Sequence, residues 1–264
     1  MLLTSAAGFY AGARGVVDPV LLLHTLLGTA LVAGGTNALN QLRERDIDAL
    51  MERTRRRPLP SGRVSPRAAG WFAGAISIVG VAYLALAVNL LTAGLAALTL
   101  VSYVFLYTPL KRRTTLNTLI GAVPGALPIV GGWTAAGGSL DVAVGALFWI
   151  LFLWQLPHFL ALAWMYREDY ARGGFPMLPV EDPDGGSTGR QVVLQTLALV
   201  VVTLLPIGLR MAGEAYLPAA LLLGAGFLAC GISFAVERSR ARASRLFLAS
   251  IAYLPLLLGA LVLF

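Results

Sequence analysis

The sequence predicts an all-α integral membrane protein: a bundle of about nine transmembrane helices with its N-terminus on the cytoplasmic side. Three observations predict it. Of the 264 residues, 58% are hydrophobic and only 12% are charged. A soluble domain carries roughly 25% charged residues, so too few charges are present to build a water-facing surface. The apolar residues fall into runs close to the ~20 residues a helix needs to cross a bilayer. Finally, Lys and Arg collect in every second loop between those runs, as they do in membrane proteins of fixed orientation.

The runs predict helices at Leu2–Ala13, Pro19–Leu42, Ala68–Val88, Leu91–Leu110, Leu116–Ala136, Val142–Tyr166, Gln191–Met211, Leu217–Val236 and Ser244–Leu263. Breaks are placed at Pro, Gly and charge clusters. The third and fourth helices meet at a very short turn near Asn89. The first run, ending at Gly12-Ala13-Arg14-Gly15, is too short to cross. It is expected either to lack an upstream lead-in or to be a helix cut short. The whole chain, 1–264, reads as one polytopic domain. No cleavable signal peptide is expected, because the N-terminus lacks a basic n-region.

The 2–3 loop holds Arg43, Arg45, Arg53, Arg55, Arg56, Arg57, Arg63 and Arg67. The 4–5 loop holds Lys111, Arg112 and Arg113; the 6–7 loop, Arg167, Arg172 and Arg190; the 8–9 loop, Arg238, Arg240, Arg242 and Arg245. Only Arg14 and Arg210 fall on the other side. Cytoplasmic loops are the ones enriched in Lys and Arg, so all four basic loops are expected in the cytoplasm. The net charge of +7 therefore reports topology and anionic ligands, not nucleic-acid binding. The single cysteine excludes an internal disulfide, and Cys230, in an apolar run, reads as a packing residue.

Chemistry concentrates where the second helix ends. Asn40, Glu44 and Asp48 are four residues apart and share a helical face, while Asp46 points elsewhere. One reading is a solvated helix end balanced by Arg43 and Arg45. The other is a magnesium site, because Mg²⁺ takes hard oxygen ligands and is shared between carboxylates and substrate phosphates. Stacked acids at a helix C-terminus oppose its dipole, and a metal would offset that cost. Next comes Met51-Glu52-Arg53-Thr54-Arg55-Arg56-Arg57-Pro58-Leu59-Pro60. Acids for a metal followed by arginines for an anion is the charge order of a metal–diphosphate site, since the guanidinium fork matches phosphate oxygens. Arg53 and Arg57 would share a face if the helix continued.

The pattern Asn40-x3-Glu44-x-Asp46-x-Asp48-x2-Met51-x-Arg53-Thr54-x2-Arg57-Pro58-Leu59 resembles the first signature of the UbiA-type intramembrane prenyltransferases. Within them it resembles the haem-farnesylating branch, the protoheme IX farnesyltransferases or haem o synthases. Tyr107-Thr108-Pro109-Leu110-Lys111-Arg112, with Asn117, Gly121, Gly125 and Pro128, is similar to that branch's 4–5 loop and fifth helix. Trp154-Gln155-Leu156-Pro157-His158-Phe159, then Tyr166-Arg167-Glu168-Asp169-Tyr170 and Pro176-Met177-Leu178-Pro179, is similar to its sixth helix and 6–7 loop. The likeness runs from Gly34 to Val180. The second Asp-x3-Asp motif of many superfamily members is missing; Arg167, Glu168 and Asp169 stand in its place.

The resemblance implies an enzyme of the alkyl-transfer class working in the lipid bilayer of the cell membrane, with its site on the cytoplasmic side. It implies farnesyl diphosphate and haem b as substrates, haem o and diphosphate as products, and Mg²⁺ as cofactor. A downstream haem a synthase or terminal oxidase assembly factor is the implied protein partner. The implied assignments are Asn40, Glu44, Asp48 and Asp169 for metal, and Arg53, Arg57, Lys111 and Arg112 for diphosphate. Asp48, Glu44, His158 and Lys111 are the expected catalytic set, with His158 and Trp154 touching haem. Tyr103, Tyr107, Phe152, Trp154 and Phe159 would shelter an allylic cation, aromatic faces favouring positive charge. For any single one of them, ordinary packing is the better reading.

A histidine in a membrane helix is a functional candidate by default. His158 follows Pro157, which breaks the helical ladder; it is expected to ligate haem iron, act as a base, or hydrogen-bond a neighbour such as Gln155. His24 stands in a helix with no motif around it and reads as structural. Two other functions remain open at this point. One is the same fold acting on an aromatic quinone precursor. The other is a transporter, against which the polar residues cluster at one membrane face, not at midplane.

Overall fold

The computed structural model describes residues 1–13 and 15–264, so Arg14, counted above for topology, lies outside the described residues. Eleven helical segments are described, and no strand is present among the described residues. They are α1 (Leu2–Gly12), α2 (Pro19–Asp48), α3 (Pro66–Ala87), α4 (Leu90–Leu110), α5 (Asn117–Ala135) and α6 (Val142–Met165), followed by α7 (Arg167–Arg172), α8 (Leu178–Glu181), α9 (Gly186–Gly208), α10 (Tyr216–Val236) and α11 (Arg240–Leu263). Eight of them are long and apolar enough to cross a membrane. The ninth predicted helix is α1, with 11 residues, which is short but folded.

The helices form a closed ring. α2 packs on α3, α3 on α4, α4 on α5, and α5 on α6. α6 then meets both α9 and α11, α10 bridges those two, and α1 closes the ring by touching α11, α5 and α2. Core residues such as Ile129, Leu147, Ile150, Leu151, Phe227 and Leu257 are buried between helices. Trp71, Ile78, Leu86, Leu222 and Val236 point outward and are largely exposed. An apolar exterior is what lipid requires, since only internally hydrogen-bonded helices are stable there.

Local chemistry sets the ends. Asp18 caps α2, its carboxylate accepting from the Val20 and Leu21 amides at 2.9 and 3.0 Å. Ser65, Asn89 and Asp141 cap α3, α4 and α6 in the same way, and Pro sits in the first turn of α2 and α3. α2 runs to Asp48, a turn and a half beyond the predicted Leu42, so the acidic triplet is fully helical. α4 widens to a π-helix over Ser102–Tyr107. Pro109 has no N–H for the carbonyl four residues back, and the wider register absorbs that loss. α9 begins at Gly186, ahead of the predicted Gln191, and breaks at Thr203–Leu204 just before Pro206. The 6–7 loop contains the two short helices α7 and α8, which no apolar run announced.

All four basic loops lie at one end of the bundle. Lys111 of the 4–5 loop pairs with Glu44. The Glu52 amide donates to Asp169 of the 6–7 loop at 3.1 Å, and Arg238 of the 8–9 loop donates to the Asp184 carbonyl at 3.0 Å. At the other end, Asn89 donates to the Thr134 carbonyl at 2.9 Å, and the Gly213 amide bonds the carbonyl of Phe264 at 2.6 Å. The alternation of loops read from charge is thus reproduced in space.

Candidate active site

A cavity of about 560 Å³ opens at the basic end and runs inward between α1, α2, α4, α5, α6 and α11. Asn40, Glu44 and Asp48 line it from one face of α2, as their spacing requires. Glu44 is 5% exposed and Asp48 is 1% exposed, whereas Asp46 is exposed and pairs with Arg45 at 3.1 Å. Two acids buried at a helix C-terminus stand against the helix dipole, so each is met by a cation. Arg57 contacts Asp48 at 2.8 Å, and Lys111 pairs with Glu44. Burial pushes the Lys111 ammonium below its ordinary pKa, against the opposing pull of Glu44.

Asn40 supports this pair from the side. Its Nδ2 donates to Glu44 Oε2 at 3.0 Å, and its Oδ1 accepts from Thr108 Oγ1 at 3.0 Å. Its oxygen is therefore already engaged. The Thr108 hydroxyl also reaches the Tyr103 carbonyl at 2.9 Å, which accepts the Thr108 amide of the π-helix as well.

The helix does not continue past Asp48, so Arg53 and Arg57 do not share a helical face. A chain of turns delivers both to the cavity instead. The Thr54 hydroxyl donates to the Asp48 carbonyl at 2.9 Å, and Met51 and Thr54 are buried beneath the loop. The Arg53 guanidinium lies over the Tyr166 and Tyr170 rings at 5.1 and 5.5 Å. Lys111 sits between Tyr107 and Phe175 at 5.4 and 5.3 Å. These aromatic faces hold the cations in place and leave their outer edges toward the cavity.

Three expectations meet a different arrangement. Arg112 is exposed and does not line the cavity. Asp169 lies outside it, with both oxygens in use: Oδ1 and Oδ2 accept from the backbone amides of Glu52 and Arg53 at 3.1 and 3.2 Å, and Arg172 pairs with the same carboxylate. Burial opposes ionisation, but Arg172 and those amides outweigh it and hold the carboxyl below its ordinary pKa. Its work is to pin the loop that carries Arg53. Phe152 faces away and packs on Phe148 and Trp149, because it falls off the helical face that presents Leu151, Trp154, Gln155 and His158.

Deeper in, His158 is sandwiched between Trp154 and Phe247, with centroids at 4.9 and 4.7 Å. Its Nδ1 lies 2.7 Å from Ser250 Oγ. Ser250 Oγ also lies 2.6 Å from the Phe247 carbonyl, so the serine bridges the ring to α11 and fixes its orientation. Nε2, the other ring nitrogen, is not in contact with Ser250. Trp154 Nε1 is tied to the Ser250 carbonyl at 2.8 Å. Gln155 turns instead to the Leu151 and Ala122 carbonyls, and Gly125 leaves room for its amide, which a Cβ there would strike. His24 is structural, bonded to Tyr83 at 2.6 Å between α2 and α3. Cys230 packs on the apolar core.

The site thus depends on residues that sequence patterns did not single out. Ser250 and Phe247 belong to α11, 92 and 89 positions from His158, and no motif surrounds them. Tyr170 and Thr108 lay within recognisable stretches and Phe175 just outside one, but only their contacts reveal what they do.

A face of buried acids and cations opening into an aromatic chamber is suited to a charged head and a long apolar tail. The sequence matches the UbiA prenyltransferase family over residues 1–254. The chain belongs to that family. Protoheme IX farnesyltransferase of Solibacter usitatus (strain Ellin6076) is 53% identical over 247 residues, 94% of this chain and 85% of that protein. The protein of that name from Salinibacter ruber (strain DSM 13855 / M31) is 49% identical over 98% of this chain and 92% of its own. Among solved structures, an apo UbiA homolog from Aeropyrum pernix K1 superposes with a TM-score of 0.77 at 23% identity, covering 99% of this chain and 96% of that one. A UbiA homolog from Archaeoglobus fulgidus bound to DMAPP and Mg²⁺ gives 0.64 at 16% identity, covering 100% and 95%. At those identities the likeness establishes the UbiA fold. This UbiA prenyltransferase is accordingly a multi-pass membrane enzyme that moves prenyl groups.

Proposed function

We propose that this UbiA prenyltransferase moves the farnesyl group of farnesyl diphosphate onto a vinyl group of protoheme IX (haem b), giving haem o and diphosphate. The observation that carries the reading is one cavity that holds both acids and cations at its mouth and His158 within its aromatic depth. Nearly full-length identity to proteins named protoheme IX farnesyltransferase supplies the acceptor.

The donor set fits magnesium. Glu44 and Asp48 offer hard oxygens, two carboxylates being the usual protein share of a Mg²⁺ held jointly with phosphates. Their burial at a helix C-terminus is a charge arrangement that a cation relieves. Bound Mg²⁺ would supply Lewis-acid stabilisation of the leaving diphosphate. Asn40 orients Glu44 and is a positioning residue.

Arg53, Arg57 and Lys111 hold the diphosphate and stabilise its growing charge as the allylic carbon–oxygen bond breaks. Tyr103, Tyr107, Trp154 and Phe159 exclude water and face the allylic cation. Its terminal carbon bonds to the vinyl group; water then adds to the new cation and loses a proton, leaving a hydroxyethyl farnesyl substituent. His158 Nε2 contacts the acceptor, as ligand to the iron or as the base for that proton. The whole chain acts as one polytopic domain in the cytoplasmic membrane with its site facing the cytoplasm. Its product passes to a haem a synthase or terminal oxidase assembly factor.

The test is to incubate purified protein with farnesyl diphosphate, Mg²⁺ and either haem or 4-hydroxybenzoate, and to weigh the products by mass spectrometry. Farnesylated haem is expected. A product formed only from the aromatic acid would assign the acceptor to the quinone branch.

A further inference from the structure

We infer that a second cavity beside the prenyl site binds the two propionate carboxylates of the tetrapyrrole acceptor; the inference rests on the haem reading above. This cavity, about 650 Å³, lies at the same end of the bundle, and Arg53 lines both it and the prenyl site. Its charge is unbalanced. Of its three acids, Asp169 is satisfied by Arg172 and two backbone amides, and Glu52 pairs at 3.1 Å with Arg55, which does not line the cavity. Only Glu168 remains against Arg53, Arg167, Arg238 and Arg240. Among the described residues, none of these four has an acid within ion-pair distance.

Three of the four are nonetheless held in place. Arg167 lies over Trp164 at 4.9 Å and Arg53 over Tyr166 at 5.1 Å, while Arg238 is fixed by the Ala235 and Asp184 carbonyls. Stacking over a ring leaves the guanidinium edge to face a ligand, apart from the one Arg53 donor that meets the Tyr170 hydroxyl at 3.3 Å, and that edge matches a carboxylate in a two-pronged contact. Four cations around one acid, three of them held in place, call for a ligand with two negative charges.

A porphyrin brings both charges on one edge and its vinyl groups on another. α6 links the two places: His158 faces the prenyl cavity, and Met165, seven residues on, faces the second. The rise between them is about 10 Å, the scale of a porphyrin ring with its propionate arms. Propionates at the arginines would leave the apolar ring to enter the aromatic chamber, so the cavity sets the ring's direction of entry.

The experiment compares haem with its dimethyl ester, in which both propionates are esterified, by absorbance titration of purified wild type, Arg167→Gln, Arg240→Gln and the double variant. Arg167 and Arg240 are exposed, so the variants should fold, and gel filtration checks it. The wild type should bind haem at least tenfold more tightly than the ester. Each substitution should weaken haem about tenfold, the size of one lost charge-assisted bond. Ester affinity and the KM for farnesyl diphosphate should stay unchanged. Equal wild-type affinity for haem and ester would overturn the assignment. A raised KM for farnesyl diphosphate alone would give the cavity to the diphosphate. Loss of only a phosphatidylglycerol effect in mixed micelles would give it to lipid phosphate. A wild type that farnesylates 4-hydroxybenzoate but not haem would instead remove the haem reading, and this inference with it.

Discussion

Asp48 is 1% exposed and contacts Arg57 at 2.8 Å, so its carboxylate faces a cation inside the cavity and not water. Asparagine keeps the shape and one oxygen but removes the charge. If Asp48 holds the metal that stabilises the leaving diphosphate, Asp48→Asn should lower turnover about 100-fold or more, the scale of a lost electrostatic contact to the transition state. The protein should still elute as a folded species in detergent, and a product-release assay reads the loss. Turnover at the wild-type rate would remove Asp48 from the metal site. The pairing of Asp48 with Glu44 and Asn40 was legible because helix geometry converts a spacing of four into one direction. Residues outside that rule were less legible. Arg53 and Arg57 arrive through turns, so their common destination does not follow from their spacing. Asp169 reaches the Glu52 and Arg53 amides across 117 and 116 positions, and Ser250 reaches His158 across 92. A loop aspartate and a helix serine carry no periodic signal, and only the packed bundle shows what they hold.

Among the elements, α1 shows why length alone misjudges a helix. Its 11 residues cannot span a bilayer, yet Gly8 and Gly12 form a small-x3-small face laid directly on α5. A Cβ on Gly12 would approach the Trp133 carbonyl to 2.6 Å, one on Gly8 would strike the Ile129 carbonyl, and Gly132 answers from α5 against Ser5. Such close backbone approach is how membrane helices associate without a hydrophobic driving force. Apolar length and breakers located the long helices, because burial in lipid imposes their composition. They did not announce the π-stretch near Pro109 or the break in α9, which depend on where freed carbonyls find new donors. Gly12→Val should force α1 off α5 at a cost of about 1–3 kcal/mol, lowering the melting temperature in detergent by roughly 5 °C. Leu3 and Thr4 of α1 line the prenyl cavity, so turnover should fall as well. An unchanged melting curve would mean that α1 does not depend on this glycine contact.

For the molecule as a whole, the loops at one end touch each other through Lys111–Glu44, Glu52–Asp169 and Arg238–Asp184. The opposite end is tied through Asn89–Thr134 and Gly213–Phe264. This two-ended arrangement was legible in the sequence because each crossing reverses direction, so a charge bias in alternate loops encodes an end of the bundle. Excess arginine resists translocation, which predicts that the basic end, and with it the prenyl site, faces the cytoplasm. Cys230 is the chain's only cysteine, so a Cys230→Ala background is free of thiols. Ser61, in the basic 2–3 loop, and Ser139, between α5 and α6, are both exposed and lie at opposite ends. Ser139→Cys in that background should react with a membrane-impermeant maleimide in intact cells. Ser61→Cys should react only after the membrane is opened. The reverse pattern would invert the whole bundle, because the loops of each end are joined to one another. It would carry Glu44, Asp48 and every arginine proposed for diphosphate or propionate binding to the outer face together.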